Sequence, residues 1–500
     1  MCADIPADTT ADLRADPPAH GEALAGSVAD AMNDPALLSA TDLIELYRAK
    51  ALSPVEAVKA VLARIERHGA AVNAWCHLDA EGALAAARAS EARWLARAPI
   101  GLLDGVPVGV KDNLLVAGMP ARYGSRLTPD TPREIDAPAA ARLREHGALI
   151  LGKTTMPEYG WKATSDSPLT GTTRNPWDTR MTTGGSSSGA VAATVLGMGA
   201  IHLGTDGGGS IRIPAAFTGC FGIKPTRARV PAYPAAPLGT LAHTGPLTRS
   251  VADAALALTV IAAPDARDVY AWIDPAPDFL EGLDAGVHGV RIAYSPRLGY
   301  APRLHPEVET AVAGAAKTLE SLGAIVEEAD PDIGGDPIDL WDAFWWPSMR
   351  YTFEALSADW RKEADPALVA AVESRGPFSV ADHLRAQLQR ADIHNTFVRF
   401  HRRYDLLITP TVPLPAFEAG ALVPPSGDWG RAWCDWAPFS YPFNLTTQPA
   451  ASVPFGLTSA GLPIGLQVVG AIGADALVLR AARALEEAAP FPTLDAPRVR

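Results

Sequence analysis

Apolar positions along this chain switch between helical and extended spacing. Residues 34–50 carry apolar side chains at helical spacing and predict a first amphipathic helix. Ser53-Pro54-Val55-Glu56 then supplies a capping serine, a proline at the first helical position and a glutamate three after the cap. The helix it starts is predicted to run to about His68 and stop at Gly69. An alanine-rich helix, 79–97, has the composition of a face that packs closely on its neighbours. The apolar run Gly105–Val110 predicts a buried strand that delivers Lys111-Asp112-Asn113 at its end. A helix over 136–146 and a strand over 147–152 follow, and Ala200–Gly204 reads as another strand. Ser250 and Asp253 open a further helix. Strand 289–294, helix 305–322 and strand 324–328 form a βαβ-like unit, and a last helix covers 474–487. This alternation predicts α/β layering.

Composition narrows the picture. The chain has 500 residues and a formal charge of −13, which argues against nucleic acid or an anionic membrane as partner, since both call for clustered Lys and Arg. The four cysteines, Cys2, Cys76, Cys220 and Cys434, are irregularly spaced and read as reduced thiols of a cytoplasmic protein. The histidines form no H-E-x-x-H pair, so no metal site is expected, and no cofactor motif is present. No basic start followed by an apolar run marks a secretory leader, and no stretch approaches the length of a membrane span. Residues 1–35, rich in Ala, Asp and Pro, are expected to be a partly disordered tail, and 491–500 a C-terminal tail. The rest, 36–490, is expected to be one domain without repeats, in which 331–440 is variable and aromatic-rich. There, 339–351 is a helix that either packs on the core or walls a substrate site, and Trp429, Trp433 and Trp436 raise the same choice.

The stretch Thr182–Lys224 holds two serine-bearing glycine clusters, Gly184–Gly189 and Gly207–Ser210, on either side of a small-residue run. A phosphate loop fits poorly, because no Lys-Ser/Thr pair follows at Walker spacing. Gly185-Ser186-Ser187-Ser188-Gly189 matches G-x-S-x-G, but a nucleophile elbow needs a strand before it, and 175–183 reads as loop. A flexible linker is not followed by the apolar Ile211–Phe217. The remaining reading is a serine hydrolase with a lysine base.

That reading coincides with a known family. Gly105-Val-Pro-Val-Gly-Val-Lys111-Asp112, Gly184–Gly189, Gly204-Thr-Asp-Gly-Gly-Gly-Ser210-Ile-Arg212-Ile-Pro214, Gly219–Thr226, Gly245–Arg249 and Asp405–Pro410 together resemble the amidase signature family from about Ala40 to about Glu487. The resemblance implies an α/β/α sandwich around a central mixed β-sheet. It also implies a triad of Ser210 as nucleophile, Ser186 as bridging serine on a cis peptide, and Lys111 as base. The N–H groups of Gly207, Gly208, Gly209 and Ser210 would form an oxyanion hole. A lysine serves as base only when neutral, which burial among hydroxyls without a carboxylate permits.

Around the triad, Thr205 and Asp206 are expected to brace the nucleophile loop, Ser187 to bond Lys111, and Arg212 to pair with Asp206 in a structural role. The resemblance places the loop Met156–Trp161 along the acyl pocket. Tyr159, Gly160, Trp161, Gly185 and Trp345 are the substrate-contact candidates. The expected activity is hydrolysis of a small-molecule amide, anilide or carbamate, and a homodimer is the assembly considered. The rival is an ammonia-producing subunit that serves a partner, as in glutamyl-tRNA amidotransferase. Arg227-Ala-Arg-Val-Pro231 after Lys224-Pro225-Thr226 lies closer to free-standing hydrolases.

Overall fold

The computed structural model describes residues 34–430 and 432–499. The tail expected over residues 1–35 therefore lies almost wholly outside the described residues. Eleven strands form one sheet: β1 (Trp75–Leu78), β2 (Pro107–Lys111), β3 (Leu149–Thr154), β4 (Ile201–Asp206), β5 (Phe221–Lys224), β6 (His243–Thr248), β7 (Arg291–Tyr294), β8 (Ile325–Glu328), β9 (Leu406–Pro410), β10 (Ala450–Leu457) and β11 (Pro463–Gly470). Their spatial order is β1-β3-β2-β4-β6-β5-β10-β11-β9-β7-β8. The pairs β3/β2, β2/β4, β9/β7 and β7/β8 are parallel and the others antiparallel, so the sheet is mixed.

Helices cover both faces. They include α1 (Ala40–Ala49), α2 (Pro54–Val72), α3 (Ala80–Leu95), α4 (Pro138–Glu145), α5 (Ser188–Val195), α6 (Arg212–Thr218), α7 (Val251–Ile261), α8 (Pro306–Ser321), α9 (Ile338–Leu356), α10 (Val380–Phe400) and α11 (Asp475–Ala488). Strand alternation divides the core: Ile150 belongs to a cluster that runs on through α1, α4, α7, α8 and α11, whereas Leu149 and Leu151 belong to one with α2 and α5 on the other face. A third, tryptophan-rich cluster is built around α9. The α/β/α arrangement is the one expected.

Boundaries differ where local chemistry intervenes. The first helix begins at Ala40, because Ser39 and Asp42 form a capping box behind a short 3₁₀ turn at Pro35–Leu37. The second passes Gly69 and ends at Val72, where Asn73 takes the left-handed conformation. Residues 175–183 are not loop: Arg174–Asn175 pairs with Asp178–Thr182 in a small ribbon outside the main sheet. The C-terminal segment docks on that ribbon, Arg498 N–H donating to the Pro176 carbonyl (2.8 Å) and Thr179 N–H to the Arg498 carbonyl (3.1 Å).

Candidate active site

Two parallel neighbours, β2 and β4, end side by side. Lys111 closes β2, and Thr205 and Asp206 close β4, so the chain leaves both strands at one spot. The first serine cluster reaches it from the start of α5, where the Gly185–Ser186 peptide is cis. Lys111 Nζ donates to Ser186 Oγ (2.8 Å), Ser187 Oγ (3.0 Å) and Thr205 Oγ1 (3.0 Å), with the Thr205 carbonyl farther off at 3.4 Å. Lys111 is fully enclosed, and burial pushes its ammonium down to about 7, against the opposing pull of Asp206. Gly160 makes room for Ser186: its φ is +67°, and a Cβ there would lie 2.8 Å from Ser186 Oγ.

Exposure rises from Lys111 (0%) through Ser186 (3%) to Ser210 (8%), so the three step from core to cavity. The Ser210 hydroxyl bonds to no described residue, while the Ser210 carbonyl accepts from Ser187 N–H (3.1 Å). Apo catalytic contacts are often loose, so an open step between Ser186 and Ser210 is compatible with proton transfer once substrate is present.

The nucleophile loop is held by one buried ion pair. Arg212 and Asp206 are both fully enclosed and meet through Nε–Oδ2 (3.0 Å) and Nη2–Oδ1 (2.9 Å). The remaining guanidinium donors reach the Ser440 carbonyl (2.8 Å), Gln467 Oε1 (2.7 Å) and Asn444 Oδ1 (2.8 Å), so all five are satisfied. Asp206 further accepts from the N–H groups of Gly209 (2.8 Å) and Ile211 (3.2 Å) and from Asn444 Nδ2 (2.9 Å). Burial pushes the Asp206 carboxyl up, and the Arg212 charge overrides it and holds it well below the usual range.

This network corrects the expected oxyanion donors. Gly209 N–H is committed to Asp206 (2.8 Å) and is not a free donor. The Gly207 carbonyl accepts from Trp341 Nε1 (3.1 Å) and the Asp206 carbonyl from Asn444 Nδ2 (3.2 Å). Because a trans peptide points its C=O and N–H oppositely, the N–H groups of Gly208 and Gly207 are turned away from those partners. Gly208 has no space for a side chain, since a Cβ would come within 2.7 Å of Trp341.

A cavity of about 460 Å³ opens on Ser186 and Ser210. Tyr159, Gly160 and Trp345 line it, as do Thr205, Asp206 and Gly207. Two expected contacts do not. Trp161 is buried in the tryptophan-rich cluster, its indole N–H donating to Asp365 (3.2 Å). Gly185 is backed by main chain, a Cβ there falling 2.3 Å from the Thr164 carbonyl oxygen. Trp433 and Trp436 also belong to the buried cluster, Trp433 meeting Trp341 edge-on at 5.4 Å. On α9 both readings hold: Trp345, Met349, Thr352 and Leu356 line the cavity, while Trp341, Phe344 and Trp346 pack inward in a cluster that Trp345 and Met349 share.

Sequence reasoning missed several residues of this wall. Asn113 donates to Thr205 Oγ1 (3.0 Å), and its own Oδ1 is buried without a partner. The loop Pro231–Leu238, with a cis Tyr233–Pro234 bond, forms an apolar side. His243 presents Nδ1 to the Leu241 carbonyl (2.8 Å), so Nδ1 carries the proton, and burial pushes the ring well below its ordinary value. Among the described residues, no three His, Cys, Asp or Glu side chains gather as a metal would require, and no helix is long and apolar enough to cross a membrane. Cys76, Cys220 and Cys434 are free thiols.

The fold matches a bacterial aryl acylamidase of the amidase signature family with a TM-score of 0.85 and 31% identity, over 91% of this chain and 96% of that one. It matches 6-aminohexanoate cyclic dimer hydrolase with a TM-score of 0.83 and 28% identity, over 91% and 98%. In sequence, the chain is 35% identical to an acylamidase of Rhodococcus erythropolis over 91% of this chain and 96% of that protein. It is 37% identical to a glutamyl-tRNA(Gln) amidotransferase subunit of Myxococcus xanthus, over 91% and 99%. The profile of the Amidase family matches residues 56–479. The chain belongs to the Amidase family and is an amide-hydrolysing enzyme.

Proposed function

We propose that this enzyme is a free-standing hydrolase of carboxylic amides with an aryl or bulky apolar group, acting through an acyl-enzyme on Ser210. The observation that carries this is Lys111, enclosed, bonded to hydroxyls and shifted by burial to about 7. The Ser210 hydroxyl proton passes by way of Ser186 to neutral Lys111 as Oγ bonds to the amide carbon. The developing oxyanion takes hydrogen bonds from the N–H groups of Gly207, Gly208 and Ser210. Collapse breaks the C–N bond, and Lys111 returns the proton through Ser186 to the departing nitrogen. Water then cleaves the acyl ester by the same relay, releasing the acid and restoring Ser210. Thr205, Ser187, Asp206 and Arg212 hold this geometry. Anilides and carbamates belong among the substrates to be tried, and the cytoplasm is the proposed compartment, in keeping with the free thiols.

A second reading, an ammonia-producing subunit of a larger complex, draws on the 37% identity to the Myxococcus protein. The apolar cavity wall favours the first. The test is turnover of short aliphatic amides, benzamides, acetanilides, a carbamate and glutamine by wild type and Ser210→Ala, with ammonia and amine release measured separately. Serine-dependent cleavage of anilides or benzamides is expected; activity confined to glutamine would replace this reading with the second.

A further inference from the structure

The cavity wall is mostly apolar, built from Pro, Ala, Leu, Met and aromatic side chains, and at one corner two hydrogen-bond donors interrupt it: Arg133 and Tyr123. The position of Arg133 is fixed three times over. Its N–H donates to the Met119 carbonyl (2.9 Å), its C=O accepts from Gly118 (2.8 Å), and its Nη2 donates to the Ala121 carbonyl (2.7 Å). That last contact is the only side-chain hydrogen bond Arg133 makes among the described residues, although a guanidinium has five N–H donors. Its Nε is buried with no partner, and no described carboxylate lies within ion-pair distance. The Tyr123 ring stacks on Tyr159 at 5.0 Å and 12°, and Tyr159 is tied to Thr128 (2.8 Å). The Tyr123 hydroxyl bonds to no described residue. Asp206, the one carboxylate of the wall, is fully engaged by Arg212, so nothing in the cavity neutralises Arg133.

We infer that Arg133 and Tyr123 form an anion-recognition corner, and that the preferred substrates are amides bearing a carboxylate remote from the scissile carbonyl. The inference rests on the amide-hydrolase reading and narrows it. A planar guanidinium meets a carboxylate through paired N–H donors, and a phenol beside it adds a third. Desolvation in an apolar cavity strengthens that contact, and leaving either partner unmatched is costly. The same cavity then accepts an amphiphilic substrate, its apolar body against α9 and the proline loop and its anionic end at Arg133.

The test compares 4-acetamidobenzoate, its methyl ester and acetanilide. Turnover is measured for wild type, Arg133→Met, Arg133→Lys and Tyr123→Phe, and binding to Ser210→Ala by calorimetry with and without Arg133→Met. Wild type is expected to favour the carboxylate over acetanilide by at least about tenfold in kcat/KM. Arg133→Met should erase that preference mainly through KM, with less than about a threefold change on acetanilide. Lysine should restore part of it, and Tyr123→Phe should cost about fivefold on the carboxylate alone. Equal losses on all three substrates, or no wild-type preference in turnover or binding, would overturn the corner. Arg133-dependent binding of the carboxylate without cleavage of any amide by wild type would instead leave the corner standing and refute the hydrolase reading.

Discussion

Two lysines on adjoining strands are equally deep in this molecule and have different surroundings. Lys111 ends β2; Lys153 lies on β3, in register with Val110, so the two side chains leave opposite faces of the sheet. Burial pushes both below the ordinary lysine value, Lys111 to about 7 and Lys153 to about 8. Their oxygen partners separate them. Lys153 donates to three carbonyls, those of Asp112 (3.1 Å), Leu114 (2.6 Å) and Pro120 (3.4 Å). Carbonyls only accept, so they need an ammonium with all its donors and give a proton nowhere to go. Lys111 is held mainly by hydroxyls, which both donate and accept, satisfy either protonation state, and lead by Ser186 towards the cavity. On the proposed mechanism, the kind of oxygen around a lysine, not its depth or shifted affinity, marks the base.

The sharpest way to break this comparison is to remove each charge. Lys111→Met should lower kcat/KM by at least about a thousandfold, comparable to Ser210→Ala, with a melting temperature close to wild type. Near-normal turnover by Lys111→Met would end the proposal that it is the base. Asp206→Asn leaves Arg212 buried beside a neutral partner and should destabilise the fold by about 3–5 kcal/mol, read by urea unfolding. Lys153→Met orphans three carbonyls and should cost about 1–3 kcal/mol in the same measurement, with kcat per folded molecule retained. A stable but inactive Lys153→Met variant would erase the distinction between the two sites.

The smallest effect is a titration. Lys111 must be neutral to accept a proton, so kcat/KM should rise about tenfold per pH unit below its pKa and level off above about 7. For stability the sign is the same. The folded-state value lies below the unfolded one, so the unfolded chain holds the extra proton between about 7 and about 10, and the fold gains stability as pH rises through that window. Lys111→Met should flatten that part of the stability profile; an unchanged slope would show that the shift is not there.

Much of this site was legible in the chain because its parts are local. Lys111 stands at the end of an apolar run, Ser186 and Ser210 sit inside glycine clusters, and Arg212 lies six residues from the Asp206 it pairs with. What stayed hidden depends on contacts that the residue pattern does not encode. Trp161 looks the same in sequence whether it faces a substrate or a core, and Asp365 decided for the core. The direction of the Gly209 N–H follows from the fold of the Asp206 side chain, not from the glycine itself. Arg133 belongs to no motif; only the turn carrying Tyr123 and Ala121 brings it to the cavity.

Helix α9 divides its labour lengthwise. One stripe, Trp345, Met349, Thr352 and Leu356, lines the cavity, and its first two residues also share the buried cluster with Trp341 and Phe344. None of the four front residues contributes a hydrogen bond to the Lys111 relay or to the Arg212 network. Thr352 and Leu356 lie outside the buried cluster, so substitutions there reshape the cavity while the Lys111 and Arg212 contacts and the packed tryptophans stay in place. A single helix face thus gives a lineage short mutational paths from one amide to another.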